Sequence, residues 1–151
     1  MNRSTVLAAL AASFLAAACG GGGSTPAPAP APVPAGVASL QTIDNVLGTG
    51  TVAASGNTVS VNYTGWLYSA TAADNKGAQF DTSLAAGRTP LVFRLGVGAV
   101  IPGFEQGIVG MRVGGTRTIL IPSALAYGAT GQGAIPPNSS LVFTVTLLSV
   151  S

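Results

Sequence analysis

The sequence predicts an α+β domain in which an antiparallel sheet of about five strands curves around one short helix. After Gly36, most segments alternate apolar and polar residues, as strands with one buried face do. Only one segment has apolar residues at helical spacing. Glycine and proline separate these segments, which favours tight connections between them.

Alternation predicts strands at several places along the chain. Apolar residues at every second position mark them: Val59, Val61 and Tyr63; Leu91, Phe93 and Leu95; Ile119 and Ile121; and Leu141, Phe143, Val145 and Leu147. Each segment would turn these side chains toward the core.

The one predicted helix covers Pro102–Met111. Proline suits the first turn of a helix, where an amide hydrogen would have no helical partner. Glu105 lies in the first turn, where the helix dipole favours negative charge. Phe104, Ile108 and Met111 recur at helical spacing and predict the face that meets the sheet.

The composition excludes several classes of function. The chain has 151 residues, of which only 7% are charged, and its net charge of +2 comes from scattered basic residues, so we expect no nucleic-acid partner. It has no histidine, which removes imidazole catalysis and the commonest zinc ligand; we expect neither a metal nor another cofactor. A single cysteine excludes an intrachain disulfide.

Residues 1–18 have the layout of a secretory signal peptide, with Arg3 followed by an apolar run too short to span a bilayer. The run ends in Leu-Ala-Ala-Ala before Cys19, the only cysteine. This ending resembles the bacterial lipoprotein cleavage site, although Leu15 stands one residue farther from the cysteine than usual. We therefore expect Cys19 to carry lipid; an ordinary signal peptide with a chance cysteine is the alternative.

Residues 19–36 would form a tether. Its glycine-rich start is followed by Pro26–Pro34, where alternating proline favours polyproline II and a semi-rigid spacer. A ligand for a proline-binding module is the alternative interpretation. Gly20, in place of aspartate after Cys19, favours the outer membrane in a Gram-negative cell. We expect an exported protein that is attached to the membrane through its lipid and faces the periplasm or the cell surface.

Residues 37–151 would form the folded domain, and their aromatic residues suggest a cleft. Tyr63, Phe93 and Phe143 fall on predicted inward faces, which is usual for core residues. Phe80 and Tyr127 fall on predicted loops, where aromatic residues tend to line clefts. The glycine-rich loop Ile121–Pro137 carries Tyr127 and an apolar Ile-Pro pair, an arrangement suited to enclosing an apolar group. The arginines of this domain, and Lys76 in a predicted loop, are expected in solvent.

Nine short motifs follow one another in this domain. They are VNYTGWL (61–67), FDTS (80–83), LGVG (95–98), VIPGFE (100–105), GM (110–111), IP (121–122), AYG (126–128), IPP (135–137) and LVF (141–143). In this order and at this spacing they resemble the FKBP family of peptidyl-prolyl cis–trans isomerases. The resemblance covers nearly all of Leu40–Ser151.

The resemblance implies an apolar pocket for proline-containing polypeptides, with macrolides as inhibitors. Its implied catalytic residues are Tyr63, Asp81 and Tyr127. Its implied substrate-binding residues are Phe80, Phe93, Val100, Ile101, Phe104, Ile135 and Phe143. Within this set Phe104 would be the floor, and the backbone N–H of Ile101 would donate to a substrate carbonyl. Asp81 would either act on the twisted carbonyl or hold Tyr63 in place.

Two departures from the family bear on function. Phe104 stands where the family usually has tryptophan, and the loop after Gly131 is about one residue shorter.

We expect a monomeric prolyl isomerase that assists the folding of extracytoplasmic proteins. A proline-directed binding or chaperone module with little turnover is the first alternative, and a surface anchor on the same fold is the second.

Overall fold

The computed structural model describes residues 36–151. The predicted signal peptide, Cys19 and almost all of the predicted tether lie outside the described residues. In chain order the elements are β1 (Gln41–Val46), β2 (Thr58–Tyr68), β3 (Lys76–Thr82), β4 (Leu91–Arg94), α1 (Pro102–Ile108), β5 (Thr116–Ile121), a 3₁₀ turn (Ser123–Leu125) and β6 (Leu141–Val150).

All strands belong to one antiparallel sheet with the order β1-β5-β6-β2-β3, and β4 pairs with the first half of β2. The predicted α+β fold, an antiparallel sheet with one short helix, is confirmed, with six strands in the sheet. The longest pairing joins β2 to β6 and places Tyr63 opposite Val145 and Gly65 opposite Phe143.

The core lies between the concave face of the sheet and α1. Val59 and Val61 of β2 and Val145 and Leu147 of β6 are fully buried, because alternate residues of each strand point to this face. Helix α1 adds Phe104 and Ile108 from its own buried side. The predicted alternation is therefore the pattern that forms the core.

Two glycines let the helix approach the sheet closely. A Cβ atom at Gly107 would lie 2.5 Å from Cδ1 of Ile119 on β5, and one at Gly103 would collide with Ile121. Real side chains do not pack at such distances, so a larger residue would push the helix away. Ile119 and Ile121 are themselves fully buried against α1.

The helix is shorter than predicted. It ends at Ile108, because Val109 takes an extended conformation (φ −55°, ψ 130°) and Gly110 has φ 88°. Met111 was predicted in the helix and lies outside it. It is nevertheless buried, so the apolar periodicity reported burial rather than helix at that position.

Two strands were missed by the sequence analysis. Every residue of β1 is exposed, which leaves no alternation to detect. β3 begins at Lys76 in a segment predicted as loop, and Phe80 belongs to this strand and not to a loop. Irregular register between β2 and β3 breaks the period of two there.

Two basic residues, Arg117 and Lys76, are less solvated than expected, whereas Arg88, Arg94 and Arg112 are exposed. The side chain of Arg117 is only 12% exposed, and it pairs with Asp44 at 2.5 Å and donates to the carbonyl of Gly107 at 2.9 Å. Lys76 pairs with Asp74 at 3.4 Å and lies 4.7 Å from the centre of the Trp66 ring.

A search of residues 36–151 for a helix with the length and hydropathy of a membrane span finds none.

The opposite face of the sheet carries a smaller apolar cluster. Val37 packs there with Leu120 and Val142, and Tyr68 lies against the cluster. The amide of Val37 donates to Oγ of Ser140 at 3.0 Å. Val37 is therefore held against two interior strands of the sheet, β5 and β6.

Candidate active site

A concavity of about 200 Å³ opens between the sheet, the start of α1 and the loop that carries Tyr127. Eight of the ten predicted catalytic and substrate-binding residues line it: Tyr63, Phe80, Asp81, Val100, Ile101, Phe104, Tyr127 and Phe143. Leu91 and Ala99 complete the lining and were not predicted. Leu91 belongs to an alternating strand, and Ala99 directly precedes the motif at Val100, so both had a local signal.

The base of the concavity is a cluster of aromatic rings. The ring centre of Phe104 lies 5.0 Å from that of Phe143 and 5.8 Å from that of Tyr63, both edge to face. Phe80 meets Phe143 edge to face at 5.6 Å. These are favourable aromatic geometries, and each ring fixes the next. The result is a rigid apolar surface rather than a flexible patch.

Gly65 makes room for this cluster. A Cβ atom there would lie 2.7 Å from both Phe143 and Phe80. Because Gly65 is paired with Phe143 across β2 and β6, any side chain at this position would displace the two rings. The glycine of the VNYTGWL motif is thus explained by packing of the aromatic wall.

Phe93 and Ile135 lie outside the lining. Phe93 is 8% exposed and packs behind the floor, with its ring centre 5.9 Å from that of Phe104. Ile135 is 6% exposed and belongs to the core cluster, and its backbone forms a tight bridge with Gln132. Phe93 therefore supports the floor from behind, and Ile135 is part of the core and not of the lining.

A chain of polar contacts runs along one wall. The hydroxyl of Tyr63 donates to Oδ2 of Asp81 at 2.6 Å. Oδ1 of Asp81 accepts the amide hydrogen of Thr82 at 2.9 Å and lies 3.3 Å from the guanidinium of Arg88. Arg88 was expected in solvent, and its side chain is indeed exposed, but it also pairs with Asp81, which was not predicted.

Burial, followed by the hydrogen bond to Asp81, raises the pKa of Tyr63 to about 12. The phenol therefore remains protonated at neutral pH, and its O–H group donates a hydrogen bond to the carboxylate of Asp81. Ser83, which is buried, receives the backbone N–H of Tyr63 at 2.9 Å, so the strand is fixed as well as the side chain. This geometry favours an orienting role for Asp81.

Two other donors remain available to a ligand. Ile101 accepts the amide hydrogens of Phe104 and Glu105 through its carbonyl, while its own N–H makes no hydrogen bond to another residue of the described range. Within the same range the hydroxyl of Tyr127 has no partner either, although its carbonyl accepts from Thr130 at 2.9 Å. Both groups border the apolar floor and suit binding of peptide carbonyls.

The polar groups of the site are few. No group of three or more potential metal ligands occurs in residues 36–151. The carboxylate of Asp81 is paired with Tyr63 and Arg88, and no histidine exists in the sequence to relay a proton. What remains is an apolar enclosure with two directed hydrogen-bond donors.

Known proteins with similar sequences are FK506-binding proteins. An FK506-binding protein of Neisseria meningitidis is 46% identical over 104 residues, which cover 68% of this chain and 88% of that protein. FK506-binding protein 1 of Aspergillus oryzae is 42% identical over 106 residues, covering 69% of this chain and 91% of that protein.

Solved structures agree with the sequence comparison. FkpA from Escherichia coli superposes with a TM-score of 0.62 at 42% identity, covering 74% of this chain and 48% of that one. A peptidyl-prolyl cis–trans isomerase from Pseudomonas syringae gives a TM-score of 0.60 at 34% identity, covering 74% of this chain and 75% of that one. The family model for FKBP-type peptidyl-prolyl cis–trans isomerase matches residues 50–148. The chain therefore belongs to the FKBP-type peptidyl-prolyl cis–trans isomerases.

Proposed function

We propose that this isomerase acts outside the cytoplasm, on proline-containing polypeptides that are completing their folding, while a lipid on Cys19 holds it at a membrane. The observation that carries the location is the sequence order: an apolar run, the only cysteine, a glycine- and proline-rich segment, and then the isomerase domain. The folding role follows from the reaction, since prolyl isomerisation is slow enough to limit folding.

The concavity suits this reaction because no bond is broken. The barrier of about 18–20 kcal/mol comes from the partial double-bond character of the amide. Water stabilises the planar, charge-separated amide more than the twisted one. A proline ring seated on Phe104 and between Tyr63 and Phe143 would leave that water behind, so the twisted state would be relatively favoured.

The polar groups would orient the peptide. The hydroxyl of Tyr127 and the N–H of Ile101 would hold carbonyls that flank the proline, fixing a turn-like geometry. Asp81 would keep Tyr63 in position at the wall beside the carbonyl that precedes the proline. The catalytic contribution of each residue is thus positional and requires no proton transfer.

An isomerisation assay on short peptides tests these roles. Tyr127→Phe keeps the ring and removes the hydroxyl, and we expect kcat/KM to fall about two- to tenfold, the worth of one hydrogen bond. Tyr68→Phe is the matched control, since Tyr68 lies on the opposite face of the sheet. FK506, for which the relatives above are named, should inhibit the parent protein by filling the same concavity. Equal loss in both variants would contradict the assigned role of Tyr127.

The anchor is tested separately. In the bacterial host, the parent chain should fractionate with membranes and incorporate radiolabelled fatty acid. Cys19→Ser should lose the label, and Ser13→Cys combined with Cys19→Ser should not restore it. Unchanged labelling of the Cys19→Ser variant would overturn the proposal while leaving the isomerase activity unaffected.

A second candidate is a proline-directed binding or chaperone module with little turnover, and Phe104 is the observation that favours it. A floor smaller than tryptophan would hold the proline ring less tightly in the twisted state. This candidate predicts peptide binding with a very low kcat that rises in Phe104→Trp. A kcat in the range usual for enzymes, about 1–10³ s⁻¹, would exclude it.

A further inference from the structure

A second concavity lies directly beside the first. Its volume is about 290 Å³, and Tyr63 and Leu91 line both cavities, so the two share a wall. The remaining lining comes from the connection between β3 and β4, which supplies Ser83, Gly87, Arg88, Thr89 and Pro90, and from Val92 of β4. A peptide bound over Phe104 is longer than the first cavity, and this neighbour is an adjoining volume that could receive its next residues.

Arg88 is the one charged side chain that lines the second concavity among the described residues. Its side chain is 56% exposed, and its contact with Asp81 at 3.3 Å uses one terminal nitrogen. A guanidinium carries five N–H donors, so one carboxylate does not saturate it. The in-plane N–H donors that do not point to Asp81 are therefore available to a second acceptor.

The other cations of residues 36–151 are placed elsewhere. Lys76 and Arg117 are paired with Asp74 and Asp44. Arg94 and Arg112 donate to backbone carbonyls of Gly56 and Gly50. None of these four lines either of the two adjoining cavities, so a charge preference in this region would come from Arg88.

The direction of the peptide follows from the proposed function, on which this step rests. In that pose the carbonyl that precedes the proline would lie beside Asp81 and Tyr63, and a carbonyl that follows the proline would accept from the N–H of Ile101. Residues on the amino-terminal side of the proline would therefore pass Tyr63 and enter the second concavity.

We infer that the second concavity is a subsite in which Arg88 selects an acidic side chain on the amino-terminal side of the proline. Glutamate should be preferred over lysine by about two- to fivefold in kcat/KM at low salt, which is the range that exposed ion pairs contribute. Salt near 1 M should abolish the preference, because it reduces the screening length to about 3 Å.

The experiment uses the full chain and three series of peptides. Each series varies a different position: two residues before the proline, directly before it, or directly after it. At that position the peptides of a series carry glutamate, glutamine or lysine. Both kcat/KM and the peptide dissociation constant are measured. The preference is the ratio of kcat/KM between two peptides for the same variant, so an effect of the substitution on Asp81 that is common to all peptides cancels. The variants are Arg88→Gln, Arg88→Glu and, as matched control, the exposed Arg112→Gln.

We expect the glutamate preference in at least one amino-terminal series, its loss in Arg88→Gln and its reversal in Arg88→Glu, with Arg112→Gln like the parent. An unchanged ratio in Arg88→Gln would overturn the subsite. So would a preference confined to the series after the proline, or none at low salt. Failure of the proposed function has a different result. The glutamine peptides would then not be turned over, while the dissociation constants of the glutamate and lysine peptides would still test the subsite.

Discussion

Tyr63 shows how one residue links the wall of the site to its polar groups. Its ring packs edge to face on Phe104, its hydroxyl donates to Asp81, and its backbone is held by Ser83. Burial and the neighbouring carboxylate both penalise the phenolate, which is why the pKa of Tyr63 rises to about 12.

An absorbance titration of the tyrosines should therefore show one group ionising near pH 12. Tyr63→Phe should remove this transition, and Asp81→Asn should shift it downward, because the negative charge is gone and a neutral amide oxygen accepts a weaker hydrogen bond than a carboxylate does. The folded state favours the neutral phenol. The resulting stabilisation is complete below the ordinary tyrosine pKa near 10 and is lost as the pH rises through about 12. A transition that survives Tyr63→Phe would belong to another tyrosine.

Phe104 sets the depth of the concavity. It is only 3% exposed, with three aromatic rings around it and an open volume of about 200 Å³ above it. Phe104→Trp should extend apolar surface into that volume and lower KM for X-Pro peptides about two- to tenfold, as expected for a modest gain in buried area.

Phe93→Trp is the comparison, because Phe93 is of the same size but packs behind the floor, outside the lining. There the extra ring has no open volume, and we expect a loss of about 1–3 kcal/mol in the free energy of unfolding without a lower KM. Equal effects of the two substitutions on KM would show that the floor does not set ligand affinity.

At the scale of elements, the contact between α1 and β5 depends on glycine. Gly107→Ala would place a methyl group 2.5–2.9 Å from three atoms of Ile119. We expect about 1–3 kcal/mol of destabilisation, measured by denaturant unfolding, despite the better helix propensity of alanine. Gln106→Ala, at an exposed position of the same helix, should change stability by less than about 0.5 kcal/mol. A neutral Gly107→Ala would mean that the helix can shift away at no cost.

The elements also show what the sequence can and cannot predict. Strands β2, β4 and β6 were predictable because burial of one face produces an alternation of apolar and polar residues along the chain. β5 was predictable from Ile119 and Ile121 on the core face, although Leu120 between them is also buried, on the opposite face. β1 was not, since all its residues are exposed and its pairing with β5 is set by backbone hydrogen bonds. The helix end was misplaced because Met111 is buried in a non-helical conformation.

The candidate site was predictable to the extent that it follows family motifs. Eight motif residues converge on one concavity, which no local pattern would have shown. Arg88 was missed because it reaches Asp81 from the β3–β4 connection, and the sequence distance between the two gives no sign of an ion pair. The burial of Ile135 was missed because its loop doubles back through a bridge to Gln132.

At the scale of the molecule, we expect residues 36–151 to fold on their own, because they contain the whole six-stranded sheet and the helix packed on it. A fragment beginning at Gly36 should match the full chain in melting temperature and in kcat/KM. A fragment beginning at Gln41 lacks Val37, which is 9% exposed, and should lose about 1–3 kcal/mol of stability, the worth of one buried aliphatic side chain. Identical stability of the two fragments would show that the contact of Val37 with Leu120 and Val142 contributes nothing to the free energy of unfolding.

The contact of Val37 with Ser140 has a mechanical consequence under the anchoring proposed above. Among the described residues, tension applied from the N-terminal side reaches this hydrogen bond first, together with the contact of Val37 with Leu120 and Val142. Leu120 and Val142 lie on β5 and β6, interior strands that are hydrogen-bonded on both sides, and Ser140 directly precedes β6, whereas β1 is an edge strand. The force is thus borne by the interior of the sheet, and β1 is not pulled from its edge as long as the contact of Val37 persists.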